Sequence, residues 1–136
     1  MKQQYDEELI INIIEAVENL SIDGFHWDKK DDKFLNIQKE LKKSIYKIIV
    51  CLDWLDKYLD YFTYFANYNC YASDVKEMIE KPDGPEIPLG CVITAILYNY
   101  QKLEYEKEVG SKDLKFRLPS TVSNKLRNKA RIIYEL

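Results

Sequence analysis

Glycine and proline are scarce in this chain of 136 residues, which has four of each. An all-β fold needs many tight turns, and these two residues form a large share of them, so their scarcity argues against that class. Long apolar runs are also missing. The longest candidate, Val92 to Leu97, is far shorter than the roughly 18 residues that indicate a membrane-spanning helix. We therefore predict a protein without a membrane partner.

Histidine and cysteine are the next shortages. His26 is the one histidine, and the three cysteines are Cys51, Cys70 and Cys91. An odd number of cysteines without a C-x-x-C pair is typical of reduced thiols in a cytoplasm. The first residues, MKQQYDEEL, do not have the basic and then apolar pattern of a signal peptide. The sequence therefore predicts a cytoplasmic location and buried, unreactive thiols.

Helical periodicity dominates what is present. Apolar residues recur at steps of three and four in five segments, bounded at about 4–20, 31–69, 73–81, 88–109 and 120–134. The run LKFRL at 114–118 alternates, but one short run cannot form a sheet. We predict an all-α fold, a single-domain bundle of about five helices built around one long central helix, with one domain over residues 1–136.

The predicted long helix has a regular heptad seam. Its apolar residues step alternately by four and three: Leu41, Ile45, Ile48, Leu52, Leu55, Leu59, Phe62 and Ala66. A seam of this kind is buried against other helices, and it would also allow a homo-oligomer to form through the long helix.

An aromatic segment follows within that helix. LDWLDKYLDYFTYFANYNCY, residues 52–71, has eight aromatic rings in 20 positions. On a helix, Trp54, Tyr58 and Tyr61 fall on one stripe and Asp53, Asp56 and Asp60 on a polar strip. One interpretation is a core with rings at its boundary. The other is a protein-binding surface, because Trp and Tyr are frequent anchors of interfaces and the acidic strip would repel nucleic acid.

The charge is unevenly distributed. Residues 110–136 have seven basic and two acidic side chains, a charge of +5 that leaves −8 on the rest of a chain whose net charge is −3. STVSNKL, near the start of the predicted basic C-terminal helix, resembles the start of a helix-turn-helix recognition helix. GSKDLKFRLP before it is too short for that motif's first helix and turn. The basic charge of this segment nevertheless makes nucleic-acid binding by residues 112–131 the alternative function. Its phosphate contacts would be Lys125, Arg127 and Arg131.

The sequence contains no catalytic constellation that we can identify. A nucleophile is not tied by any motif to His26, and a calcium loop begun at Asp28 would place Lys33 and Lys39 where glycine and glutamate are required. We predict no metal and no cofactor.

The leading hypothesis is a non-enzymatic protein-binding module. It would act as an adaptor, an inhibitor or an immunity-type factor, or it would be a subunit of a larger assembly. An enzyme or metal-binding protein ranks third. The use of Lys, Ile, Asn and Tyr suggests a low-GC bacterium or its phage.

Overall fold

A computed structural model describes residues 5–27, 32–58, 70–81, 83–99 and 104–117. Over these ranges the chain is mostly helical, which agrees with the predicted helical character, but it also has two small sheets that an all-α fold would lack. The helices are α1 (Glu7–Ala16), α2 (Asp32–Lys43), α3 (Ile45–Tyr58), α4 (Ala72–Glu80) and α5 (Leu89–Asn99). The strands are β1 (Leu20–Ser21), β2 (Gly24–Phe25), β3 (Cys70–Tyr71), β4 (Glu104–Glu106) and β5 (Lys115–Arg117). The helix predicted at 120–134 lies outside the described residues.

Helix α5 is at the centre of the described structure. Every residue from Gly90 to Leu97 is buried, and α1, α3, α4 and β2 all contact this helix. A helix that is apolar on every side has no face to present to water and is therefore enclosed. Its one buried hydroxyl, on Thr94, donates to the carbonyl oxygen of Gly90 at 2.7 Å, so burying it leaves no unsatisfied donor. The sequence pattern instead predicts that the long helix over 31–69 is central.

The predicted long helix is interrupted at Ser44. The Ser44 amide donates to Leu41 O at 3.0 Å, one residue short of the α-helical spacing, and its hydroxyl donates to Glu40 O at 2.8 Å. Such a hydroxyl contact to the preceding turn often bends a helix. A continuous helix over 31–69 is therefore not confirmed, and residues 59–69 lie outside the described ranges. Burial of the heptad seam is confirmed for Leu41, Ile48, Leu52 and Leu55.

The larger sheet overturns two predictions. β5 lies between β3 and β4, antiparallel to both, and Phe116 is opposite Cys70 on one side and Tyr105 on the other. LKFRL therefore does form a strand, with Leu114 and Phe116 buried. Of the helix predicted over 88–109, the described residues contain α5 at Leu89–Asn99, whereas Glu104–Glu106 is a strand. Both segments form strands because they pair with other strands, and local periodicity does not reveal such pairing.

The smaller sheet is a hairpin that lies against the start of α5. Gly24 has a φ of +105°, and an added Cβ there would lie 2.3 Å from the carbonyl oxygen of Lys112. Gly90 donates its amide to Ile22 O at 3.0 Å, and an added Cβ would lie 2.0 Å from Ser21 O. Glycine at both positions therefore allows the backbone contacts that hold the hairpin.

The N-terminus of α4 is capped by a residue from far along the chain. Asp113 accepts a hydrogen bond from the Ser73 amide at 3.0 Å and a second from the Ser73 hydroxyl. Its Oδ1 also accepts from the Leu114 amide at 2.9 Å. Tyr71, the residue at the N-cap position, makes no side-chain cap hydrogen bond of its own. The cap couples α4 to the sheet.

Candidate functional site

A polar cluster on α3 involves two of the predicted site residues, Asp53 and Asp56. Asp53 and Asp56 lie three residues apart and are both exposed. The Tyr5 hydroxyl lies 2.9 Å from Asp53 Oδ1 and 2.6 Å from Asp56 Oδ2. A phenol has a single proton to donate, so the two carboxylates share one donor. Asp53 and Asp56 are therefore held together by Tyr5 and are not two independent surface charges.

Three elements position this pair. The Tyr5 ring packs edge-on against Tyr98, near the end of α5, with the ring centroids 6.0 Å apart. The Tyr98 hydroxyl accepts from the Asp6 amide at 2.9 Å, which ties the start of α1 to α5. Asn99 lies with its amide nitrogen 3.4 Å from Asp56 Oδ1. We call the surface formed by Tyr5, Asp6, Asp53, Asp56 and Tyr98 the acidic surface.

The electrostatics of the acidic surface favour a cationic partner. Partial burial raises the pKa of the Tyr5 hydroxyl far above its ordinary value, and the hydrogen bonds to Asp56 and Asp53 raise it further. Tyr5 therefore remains a neutral donor at physiological pH and does not add negative charge. Asp6, as the N-cap of α1, accepts from the Leu9 amide at 3.1 Å. The arrangement presents several carboxylate oxygens to solvent, where an Arg or Lys could bind.

The aromatic residues of the predicted interface are distributed differently. Trp54 is half-buried and packs against the hydrophobic core, as expected for a residue at the core boundary. Tyr58 ends α3, and only its backbone is described. Tyr61 and Asp60 lie outside the described residues. The structure thus brings Asp53, Asp56 and Trp54 onto neighbouring faces of α3, and it does not address the other three.

The alternative nucleic-acid residues Lys125, Arg127 and Arg131 lie outside the described ranges. Of the described part of that basic segment, Lys115–Arg117 is strand β5 and Lys112 precedes it. Lys115 lies across from Glu106 on β4, with 3.9 Å between Nζ and the carboxylate oxygen. The residues of β5 are therefore paired in the sheet.

His26 is held in an apolar position. Its ring lies 5.2 Å from the Phe34 ring, and its Nε2 is buried without a hydrogen-bond partner among the residues that the structure describes. On either side, Phe25 is buried and Trp27 donates its indole N–H to Ser111 O at 2.5 Å. These neighbours anchor the segment. Asp23, the carboxylate nearest to His26 in the hairpin turn, does not hydrogen-bond to the imidazole Nε2, so these two residues do not form a catalytic pair.

The three cysteines are buried, and none of them forms a disulfide. Burial raises the pKa of Cys70 to about 11, with a further contribution from Asp74, and raises that of Cys91 to about 12 despite the opposing effect of Lys47. A thiol with so high a pKa is a poor nucleophile at neutral pH. Within the described part of the chain, no group of three or more His, Cys, Asp or Glu side chains is arranged to hold a metal ion.

The sequence analysis missed Tyr5, Tyr98 and Asn99. Tyr5 lies 48 residues before Asp53 and 51 before Asp56, and no local pattern connects them. The packing of α1 and α3 against α5 brings them together. A tyrosine beside the acidic start of a helix was the one available signal, and it did not indicate a partner on another helix.

Comparison with known proteins adds no relative. The chain matches no protein-family model, and neither a curated protein nor a solved structure is significantly similar to it. Among the described helices, none combines the length and apolar character needed to cross a bilayer. Function must therefore be argued from the surfaces of this chain.

Proposed function

We propose that the chain is a non-enzymatic protein-binding module whose acidic surface binds a basic region of a partner protein. The observation that carries this proposal is the shared contact of Asp53 and Asp56 with the Tyr5 hydroxyl, at 2.9 and 2.6 Å. The contact fixes two exposed carboxylates side by side, so little side-chain entropy is lost when a partner binds. An arginine guanidinium fits a carboxylate with two parallel hydrogen bonds.

The surroundings supply the apolar part of such an interface. Tyr5 and Tyr98 are half-buried and their rings pack against each other, so part of each side chain is accessible to a partner. Tyrosine and arginine are enriched where interfaces are most strongly stabilised. Nucleic acid is disfavoured at this surface, because a phosphate chain would approach a group of carboxylates.

The test is affinity purification from the native host in the presence of nuclease, followed by mass spectrometry. We compare the wild-type chain with the double variant Asp53→Asn/Asp56→Asn, which removes two charges and keeps the side-chain shape. The matched control is Glu40→Gln/Asp83→Asn, which removes two exposed carboxylates remote in sequence from the acidic surface.

We expect at least one protein to be retained by the wild type and by the control and lost by the Asp53→Asn/Asp56→Asn variant. Binding of that protein to the wild-type chain should weaken as salt is raised, because exposed ion pairs are screened. Capture of the same proteins at the same level by all three forms would contradict the proposal. Equal melting temperatures for the three forms would show that the comparison reports on binding and not on folding.

A further inference from the structure

A cavity of about 520 Å³ opens beside the start of α5. Its apolar wall is formed by Ile22 of the hairpin turn and by Ile87, Pro88 and Leu89. A cavity of this volume is within the range that holds small organic ligands. It is separate in sequence from the acidic surface, and none of the residues that line it belongs to that surface.

Hydrogen bonds between distant segments fix the walls. The hairpin turn is joined to α5 by the Gly90 amide and Ile22 O, 3.0 Å apart, and to the segment at Lys112 by the Phe25 amide, which donates to Lys112 O at 2.9 Å. Ile87 donates its amide to Glu80 Oε2 at 2.9 Å. The cavity is therefore formed before any ligand enters it, which limits the cost of binding.

The charged residues around the cavity have both signs. Asp23, Lys47, Glu86 and Lys112 line it, and none of the four takes part in an ion pair among the residues that the structure describes. Lys76 also lines it, but its ammonium group lies 2.9 Å from both carboxylate oxygens of Glu80. Two ammonium groups and two carboxylates thus remain available around an aliphatic wall.

We propose that this cavity binds a small zwitterion with an aliphatic side chain, such as a short peptide with free termini. Lys47 and Lys112 bind its carboxylate, Asp23 and Glu86 bind its ammonium group, and the aliphatic wall contacts its side chains. A ligand with only one charge would bind one pair of side chains and would be repelled by the other pair, which has the same sign as the ligand. The proposal goes beyond the protein-binding function and uses other residues.

The experiment titrates the ¹⁵N-labelled chain with three probes and follows amide chemical shifts. The probes are the dipeptide Leu-Leu, its N-acetylated form, which keeps only the negative charge, and its C-terminal amide, which keeps only the positive charge. We expect Leu-Leu to shift the amides of Ile87 and Leu89, and each capped form to bind at least about tenfold more weakly. Equal affinity for Leu-Leu and either capped form would overturn the proposal, and so would absence of saturable shifts for all three up to about 10 mM.

Two double variants make the assignment residue-specific. Lys47→Ala/Lys112→Ala removes both available ammonium groups and should weaken Leu-Leu binding at least about tenfold, while affecting the amide-capped probe little. Lys39→Ala/Lys43→Ala removes two exposed lysines of α2 that do not line the cavity, and it should bind Leu-Leu as the wild type does. Equal loss of binding in both variants, or in neither, would show that the cavity lysines are not the ligands of the carboxylate.

Discussion

Replacing Gly90 by alanine tests the packing around the central helix, because the ordinary expectation and the structural one have opposite signs. Alanine in place of glycine inside a helix normally stabilises it by about 1 kcal/mol. At Gly90, however, the new Cβ would lie 2.0 Å from Ser21 O and 2.9 Å from the backbone of Ile22. These are backbone atoms of a paired hairpin, so rotation of a side chain cannot relieve the overlap.

The magnitude follows from three contributions. Overpacking a tight site costs about 1–3 kcal/mol. Moving the hairpin away would also lengthen the hydrogen bond from the Gly90 amide to Ile22 O, now 3.0 Å, and lose about 1 kcal/mol. The gain in helix propensity offsets a similar amount. We therefore expect Gly90→Ala to lower the free energy of unfolding by about 1–3 kcal/mol.

Urea denaturation followed by circular dichroism at the helical band measures this change. Gly110→Ala is the matched control, since Gly110 has a φ of +83° but nothing within 4 Å of the added Cβ. That variant should lose only about 1 kcal/mol, from backbone strain alone. If Gly90→Ala proves as stable as the wild type or more stable, the close approach of α5 to the hairpin does not exist in solution.

Three further outcomes are expected. Leu52→Ala should lower the free energy of unfolding by about 2–5 kcal/mol in urea, because Leu52 is fully buried; a loss under about 0.5 kcal/mol would place the seam at the surface. Native protein should react slowly with a thiol reagent at pH 8, and urea should expose three reactive thiols; rapid native labelling would contradict their burial. Since the native pKa of Cys91 is about 12, against about 9 ordinarily, the unfolded state loses this proton first, so stability should fall as pH rises from about 9 to about 12. Cys91→Ala should make that fall less steep, and an unchanged slope would show that the Cys91 thiol does not contribute to the pH dependence.

The alternative function has its own test. If the basic segment binds nucleic acid, wild-type protein should shift labelled DNA or RNA in a low-salt gel, and Arg127→Glu/Arg131→Glu should abolish the shift. We expect no shift from the wild type, because the −8 body would repel a phosphate chain approaching anywhere but the tail. A shift in the nanomolar to low micromolar range that the double variant loses would reverse our preference.

What the sequence predicted correctly was local. The period of the seam placed Leu52 and Leu55 in the core and Asp53 and Asp56 in solvent, because a helix alone decides which residues share a face. The central position of α5 was not predicted, although Gly90 to Leu97 has no charged residue on any side.

Features that depend on contacts between distant segments were out of reach. The strand Glu104–Glu106 reads as a helical continuation until β5 is placed beside it. Tyr5 reads as the residue before an N-cap until the packing of α1 brings it to the aspartates of α3. The cavity has the same origin, because its charged residues come from separate segments. Two of the five residues of the acidic surface, Asp53 and Asp56, were therefore predictable, and Tyr5, which orders them, was not.

The distant cap on α4 has a consequence for synthesis of the chain on the ribosome. Asp113 follows Ser73 by 40 residues, and β5, the middle strand of its sheet, follows β3 by a similar interval. Until residues 113–117 leave the exit tunnel, α4 has no cap from Asp113, and β3 and β4 have no strand between them. Their apolar surfaces and free backbone groups stay exposed during that interval, which is the condition under which nascent chains aggregate or recruit chaperones. The three-stranded sheet therefore cannot be completed before residues 113–117 are synthesised, and the pace of translation sets this delay.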